Sequence, residues 1–226
     1  MLKKVFLTLC FVALGTYARN ANIRPADPTH YFFTPTAYVN PPNHMVIGLR
    51  ELSYAFPGNL QLQASILDNI GRINIGAKFG LYDNMSVGAG LASSFVTLGR
   101  GDHGIPHYAD PRLGVFLSYG MIQRGDLEMV IVPNTQIGER LSLGIDLGLK
   151  VTPVNVWSFI WEGGFSADTD EDDGGLYLFT TGGLRIHPPS VPFLNFDLGI
   201  DIREFKIRRK PDVGVFADVM FCFIAM

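Results

Sequence analysis

Ile73-Asn-Ile-Gly-Ala-Lys-Phe-Gly-Leu-Tyr-Asp-Asn-Met-Ser-Val-Gly-Ala-Gly-Leu91 is apolar at nearly every second position. Ile73, Ile75, Ala77, Phe79 and Leu81 alternate with Asn74, Gly76, Lys78 and Gly80. After Tyr82-Asp83-Asn84, the residues Met85, Val87, Ala89 and Leu91 alternate with Ser86, Gly88 and Gly90. A period of two marks a strand, and Asp-Asn between two such runs reads as a hairpin turn. What the period leaves open is whether the apolar face meets a protein core or lipid.

The same alternation recurs down the chain. Leu113, Val115, Leu117 and Tyr119 form one apolar row, and Leu141 to Val151 another. Leu194 to Ile202 and Val213 to Phe223 form two more. Runs of about 9 to 11 residues are what a tilted strand needs to cross a bilayer. The other face chooses the solvent. A water-washed sheet would carry Lys, Glu, Thr and Arg at most polar positions; here those positions are largely glycine with an occasional charge. Glycines suit a crowded lumen. Trp157, Phe159, Trp161 and Phe165 share the apolar face of their strand, as in the aromatic girdles of membrane barrels.

Composition agrees. Charged residues are 17% and hydrophobic residues 47%, with 25 glycines, whereas an ordinary soluble domain is about 25% charged. Mean hydropathy is positive, yet beyond the N-terminal segment no apolar run reaches the length of a membrane helix. Only helices and closed barrels satisfy their backbone groups in lipid, so the expected fold is all-β: a closed antiparallel transmembrane β-barrel.

The N-terminus reads as an export signal. Lys3 and Lys4 precede an apolar run from Val5 to Gly15, and Thr16-Tyr17-Ala18 offers small residues for cleavage. Residues 1–18 are therefore expected to be removed, leaving 19–30 as an N-terminal extension and 31–226 as the barrel. Of 18 Lys and Arg, Lys3 and Lys4 leave with the signal, so 16 remain against 21 acidic residues, a net −5. That balance argues against a nucleic-acid partner. A single cysteine, Cys222, would remain, as a small filler on the lumen side.

Turn signals after residue 45 separate eleven runs, and single-chain bacterial barrels have even counts. A first strand over His30 to Val39 makes about twelve; ten is the alternative. Twelve also places the connections 99–109, 134–140 and 167–174 on the outer side and Tyr82-Asn84 on the periplasmic side.

Thr29-His-Tyr-Phe-Phe-Thr-Pro-Thr-Ala-Tyr38 and Ile70-Gly-Arg-Ile-Asn-Ile-Gly-Ala-Lys-Phe-Gly-Leu-Tyr-Asp-Asn-Met-Ser-Val-Gly-Ala-Gly90 resemble the N-terminal half of a family of predicted, porin-like outer-membrane proteins of Bacteroidota-like bacteria. The resemblance covers about a third of the chain. It implies an outer-membrane barrel and brings no assigned activity.

With the apolar faces outward, the inward charges are Lys78, Arg112, Lys150, Arg185 and Arg203 against Glu128, Asp146, Glu162, Asp197, Asp201 and Asp218. Such a set either selects solutes by charge at a constriction or fills and stiffens the barrel as an ion-pair network. Twelve strands fall between a packed barrel and an open channel. Asp168-Thr-Asp-Glu-Asp-Asp-Gly-Gly175 fails as a calcium loop, with Asp173 at the sixth position and Phe179 at the twelfth. His103 and His107 flank Pro106, which disfavours the helix that would aim both imidazoles at one metal. No spacing nominates a Ser–His set for hydrolysis. No cofactor or metal is expected.

The expected function is a narrow porin-like path for small polar solutes or ions. A plugged structural or surface-interaction barrel is the alternative, and a lipid-modifying enzyme the third reading. The expected partners are outer-membrane lipid, lipopolysaccharide and the barrel-assembly machinery.

Overall fold

A computed structural model describes residues 28, 30, 34–65, 72–94, 112–124, 126–138, 141–168, 176–191, 193–206 and 213–224. Twelve antiparallel strands close into one barrel. They are β1 (His44–Ile47), β2 (Leu52–Phe56), β3 (Leu60–Ala64), β4 (Arg72–Tyr82), β5 (Met85–Ser94), β6 (Arg112–Arg124), β7 (Leu127–Ile137), β8 (Leu141–Val154), β9 (Trp157–Asp168), β10 (Leu176–Ile186), β11 (Leu194–Lys206) and β12 (Val213–Ile224). Each pairs with its sequence neighbours, and β1 closes on β12 through His44 opposite Ile224 and Ile47 opposite Phe221. Closure leaves no sheet edge.

Alternation sets the faces. Along the hairpin β4–β5, Ile75 faces Leu91, Ala77 faces Ala89 and Phe79 faces Val87, while Lys78 lies opposite Gly88. Asp83 and Asn84 make the turn between Tyr82 and Met85. The outer face carries exposed Ile75, Leu143, Leu198, Ile200 and Val215. Fully buried Lys78, Ser86, Ser118, Ser158 and Glu162 are on the inner face. A soluble protein inverts that distribution.

Two glycines make room for aromatic rings on the inner wall. A Cβ on Gly88 would stand 2.2 Å from Phe116 Cζ, and one on Gly199 would stand 2.5 Å from Phe216 Cζ. Each glycine is the direct cross-strand partner of the ring above it. The ring covers the bare backbone, a pairing that steadies glycine in strands.

The total of twelve matches the expectation, but its composition does not. The run from residue 45 to 56 holds two strands, parted at Gly48–Glu51, where the Gly48 N–H donates to the Glu51 carbonyl at 2.7 Å. Among the described residues of the first strand expected over His30 to Val39, only one isolated bridge forms, His30 to Pro35; the first strand of the barrel begins at His44. Strand β7 also runs on through Pro133 and Asn134 to Ile137, past the start of the expected turn. Its Pro133 sits opposite Ile145 with its ring exposed.

The short connections 57–59, 83–84, 125–126 and 155–156 share one end of the barrel with the start of β1 and the finish of β12. The strand ends joined by 95–111, 138–140, 169–175 and 207–212 lie at the other. The expected division of connections between two ends is the one observed. No helix among the described residues is long and apolar enough to cross a membrane, which says nothing of strands.

Candidate functional site in the barrel lumen

Residues 34–40, Thr-Pro-Thr-Ala-Tyr-Val-Asn, are all buried. A buried segment that belongs to no strand of a closed barrel lies within it, and its partners trace its course. The Asn40 N–H donates to Gln61 Oε1 on β3 at 3.0 Å. Lys78 Nζ on β4 donates to Thr36 Oγ1 at 3.1 Å, and Ser86 Oγ on β5 donates to the Thr36 carbonyl at 3.4 Å. Ser118 Oγ on β6 reaches the Pro35 carbonyl at 3.3 Å. The Thr34 N–H donates to Glu162 Oε1 on β9 at 3.3 Å. Upstream, Arg185 Nη1 on β10 donates to the His30 carbonyl at 3.1 Å. The segment thus crosses the lumen from one side of the barrel to the other.

Side chains of the segment complete the fit. Ala37 packs in one apolar cluster with Val130, Val132, Ile160 and Phe216, with Phe116 against it. Arg50 stands 4.2 Å above the ring of Phe216, where a guanidinium is held by the aromatic face. Polar groups and an apolar patch therefore share the inner wall.

Several of the other inward charges are held in pairs or networks. Arg185 Nε and Nη2 each donate at 2.8 Å to one oxygen of Asp197 on β11. Lys150 on β8 and Glu128 on β7 are cross-strand partners 3.2 Å apart. Asp146 accepts Asn134 Nδ2 at 2.9 Å. Asp218 accepts the N–H groups of Leu49, Arg50 and Val219 at 3.0, 3.1 and 2.7 Å, anchoring the β1–β2 corner to β12. Asp201 is buried opposite Thr181 and Gly214. Arg112 is half-buried at the start of β6. Arg203 lies on β11, with its side chain outside the described ones. Trp157, Phe159, Trp161 and Phe165 are all exposed on the outer face.

Two features have no signature in the sequence. Glu51, at the β1–β2 corner, is buried, accepts Ser53 Oγ at 2.8 Å and lies 3.4 Å from His30 Nδ1. A chain of hydrogen bonds also ties four strands near the short-turn end. Thr152 Oγ1 is 2.8 Å from Ser158 Oγ, which is 3.2 Å from His187 Nε2; His187 Nδ1 is 2.5 Å from Asn195 Oδ1. Asn195 Nδ2 donates to Cys222 Sγ at 3.3 Å, and Cys222 fills the wall beside Val46 and Met220. One tautomer satisfies the chain: Nδ1–H donates to Asn195, and Nε2 accepts the Ser158 O–H.

Ser–His–Asn is the order of an activated nucleophile, its base and an orienting group. Ser158, however, is fully buried, and an acyl group has no exposed Oγ to meet. Ser158 on β9, His187 just past the end of β10 and Asn195 on β11 come from separate stretches of the chain, so no local spacing could have nominated them.

Among the described residues no group of His, Cys, Asp and Glu is arranged to hold a metal ion. Asp102, His103, His107, Asp110 and the acidic residues 170–173 lie outside the described residues, as does the expected signal at 1–18.

No family model and no curated protein matches the chain. Among solved structures it is similar to a NanC porin in a rhombohedral crystal form, with a TM-score of 0.53 over 81% of this chain and 97% of that one. At 10% identity, the likeness is one of fold: a closed β-barrel.

Proposed function

We propose that this chain is a bacterial outer-membrane barrel providing a narrow, porin-like passive path for small polar solutes or ions. One observation carries the reading: the closed barrel presents exposed apolar and aromatic side chains outward and buries Lys78, Glu162, Arg185, Asp197 and Asp218 within. A soluble monomer rarely exposes so extensive an apolar surface, whereas a barrel in lipid requires one. The porin fold of the neighbouring structure supports the same assignment. So do the export-type N-terminus and the resemblance to predicted outer-membrane proteins of Bacteroidota-like bacteria. Lipid and lipopolysaccharide would surround the barrel, and the barrel-assembly machinery would insert it.

Planar-bilayer conductance and liposome swelling test the path. A folded, heat-modifiable protein is expected to give small discrete conductance steps; membranes no leakier than protein-free ones would remove the proposal. Within it, the cations that would line an opened route are Arg112, Arg203 and, once its pair with Asp197 parts, Arg185. Their change to alanine is expected to shift ion selectivity, and an unchanged selectivity would take them off it.

A second reading, a plugged structural barrel, is favoured by residues 34–40 lying across the lumen with wall partners on five strands. Conductance separates the two.

A further inference from the structure

The wall that receives residues 34–40 is built to read an extended peptide. Along the segment the wall both accepts and donates. Gln61 and Glu162 accept from the N–H groups of Asn40 and Thr34, while Ser86 and Ser118 donate to the carbonyls of Thr36 and Pro35. Lys78 reads a side-chain hydroxyl, and the patch of Val130, Val132, Ile160 and Phe216 receives a methyl group from Ala37. An anionic solute would call for donors alone and would be repelled by the buried Glu162 carboxylate. A peptide offers both N–H and C=O along its length.

The occupant is also separable from the fold. All twelve strands pair without it, and its hydrogen bonds with Gln61, Lys78, Ser86, Ser118 and Glu162 run to wall side chains rather than along a backbone ladder. Peptides that bind by adding a strand to a sheet need an edge; this closed wall has none, so recognition falls to side chains.

We propose that the lumen around Gln61, Lys78, Ser86, Ser118 and Glu162 is a binding site for short extended peptides, occupied in cis by residues 34–40, which a peptide supplied in trans displaces. The inference shares with the proposed path its reliance on a membrane-spanning barrel with a functional lumen, and names the ligand class. Its test reads binding rather than conduction, so either can fail alone.

The probe is a fluorescent, end-capped peptide of sequence Thr-Pro-Thr-Ala-Tyr-Val-Asn, titrated onto the full chain in detergent and followed by anisotropy. Ala37→Arg places a charge where a methyl meets the apolar patch, weakening the cis occupant while leaving the wall intact. The probe is expected to bind that variant about tenfold more tightly than the unaltered chain, because an internal competitor has been weakened. Adding Ser86→Ala and Ser118→Ala is expected to weaken binding about fivefold or more, as two hydrogen bonds are lost. Heat-modifiable mobility reports that each variant is folded. A folded Ala37→Arg protein without saturable binding, or binding indifferent to both serines, overturns the proposal.

Hydrogen exchange on the unaltered chain gives a second measurement that needs no variant. Excess probe is expected to speed exchange at the Thr34 and Asn40 amides. Unchanged protection at both means that the segment is a permanent filler, and the site is withdrawn.

Discussion

Arg185 and Asp197 face each other across β10 and β11, and both carboxylate oxygens accept from one guanidinium at 2.8 Å with neither side chain open to water. Taking one partner away strands the other charge in the wall. Asp197→Ala is expected to lower stability by about 3–5 kcal/mol, whereas Arg185→Met with Asp197→Leu together is expected to cost far less. Urea unfolding in lipid vesicles, followed by tryptophan fluorescence, measures both. A double variant as unstable as the single one would mean that the pair's shape, and not its stranded charge, matters.

Ile200 is outward and exposed near the middle of β11. In hydrocarbon, Ile200→Lys should cost about 2–4 kcal/mol; on a water-facing sheet it would cost almost nothing. Brominated lipids are expected to quench Trp157 and Trp161 in the same vesicles. Stability indifferent to Ile200→Lys, with no quenching, would place the outer face in water.

Gly88 lies beneath the ring of Phe116, with no space for a methyl group. Gly88→Ala is expected to cost about 1–3 kcal/mol through overpacking. Phe116→Leu in the same chain should recover part of that loss, since it shortens the side chain that clashes. No recovery would point to backbone strain at residue 88.

Ser158, His187 and Asn195 form a relay whose serine is sealed from solvent. Fluorophosphonate probes are accordingly expected to leave Ser158 unlabelled in the folded protein. His187→Ala should destabilise the fold by about 1–3 kcal/mol, because Asn195 and Ser158 lose a buried partner. Covalent labelling of Ser158, read by mass spectrometry, would recast the relay as a reactive centre.

Much of the barrel was legible from residues two apart. Strands β4, β5, β6, β8, β11 and β12 follow their apolar rows, and the rings at 157, 159, 161 and 165 stand outward with them. Side-chain direction in a strand depends only on parity along the chain, so a one-dimensional pattern carries it. The occupant of the lumen was not legible. Residues 34–40 hold threonine, tyrosine and valine, which suit a strand equally well. Their partners Gln61, Lys78, Ser86, Ser118 and Glu162 lie on five different strands, up to 128 positions away. The corner at Gly48–Glu51 was hidden for the same reason, since Asp218 that anchors it is more distant still. Periodicity records which face a residue takes; which residues meet across a closed barrel depends on strand register and on what enters the space it encloses, and these exist only once the chain has folded.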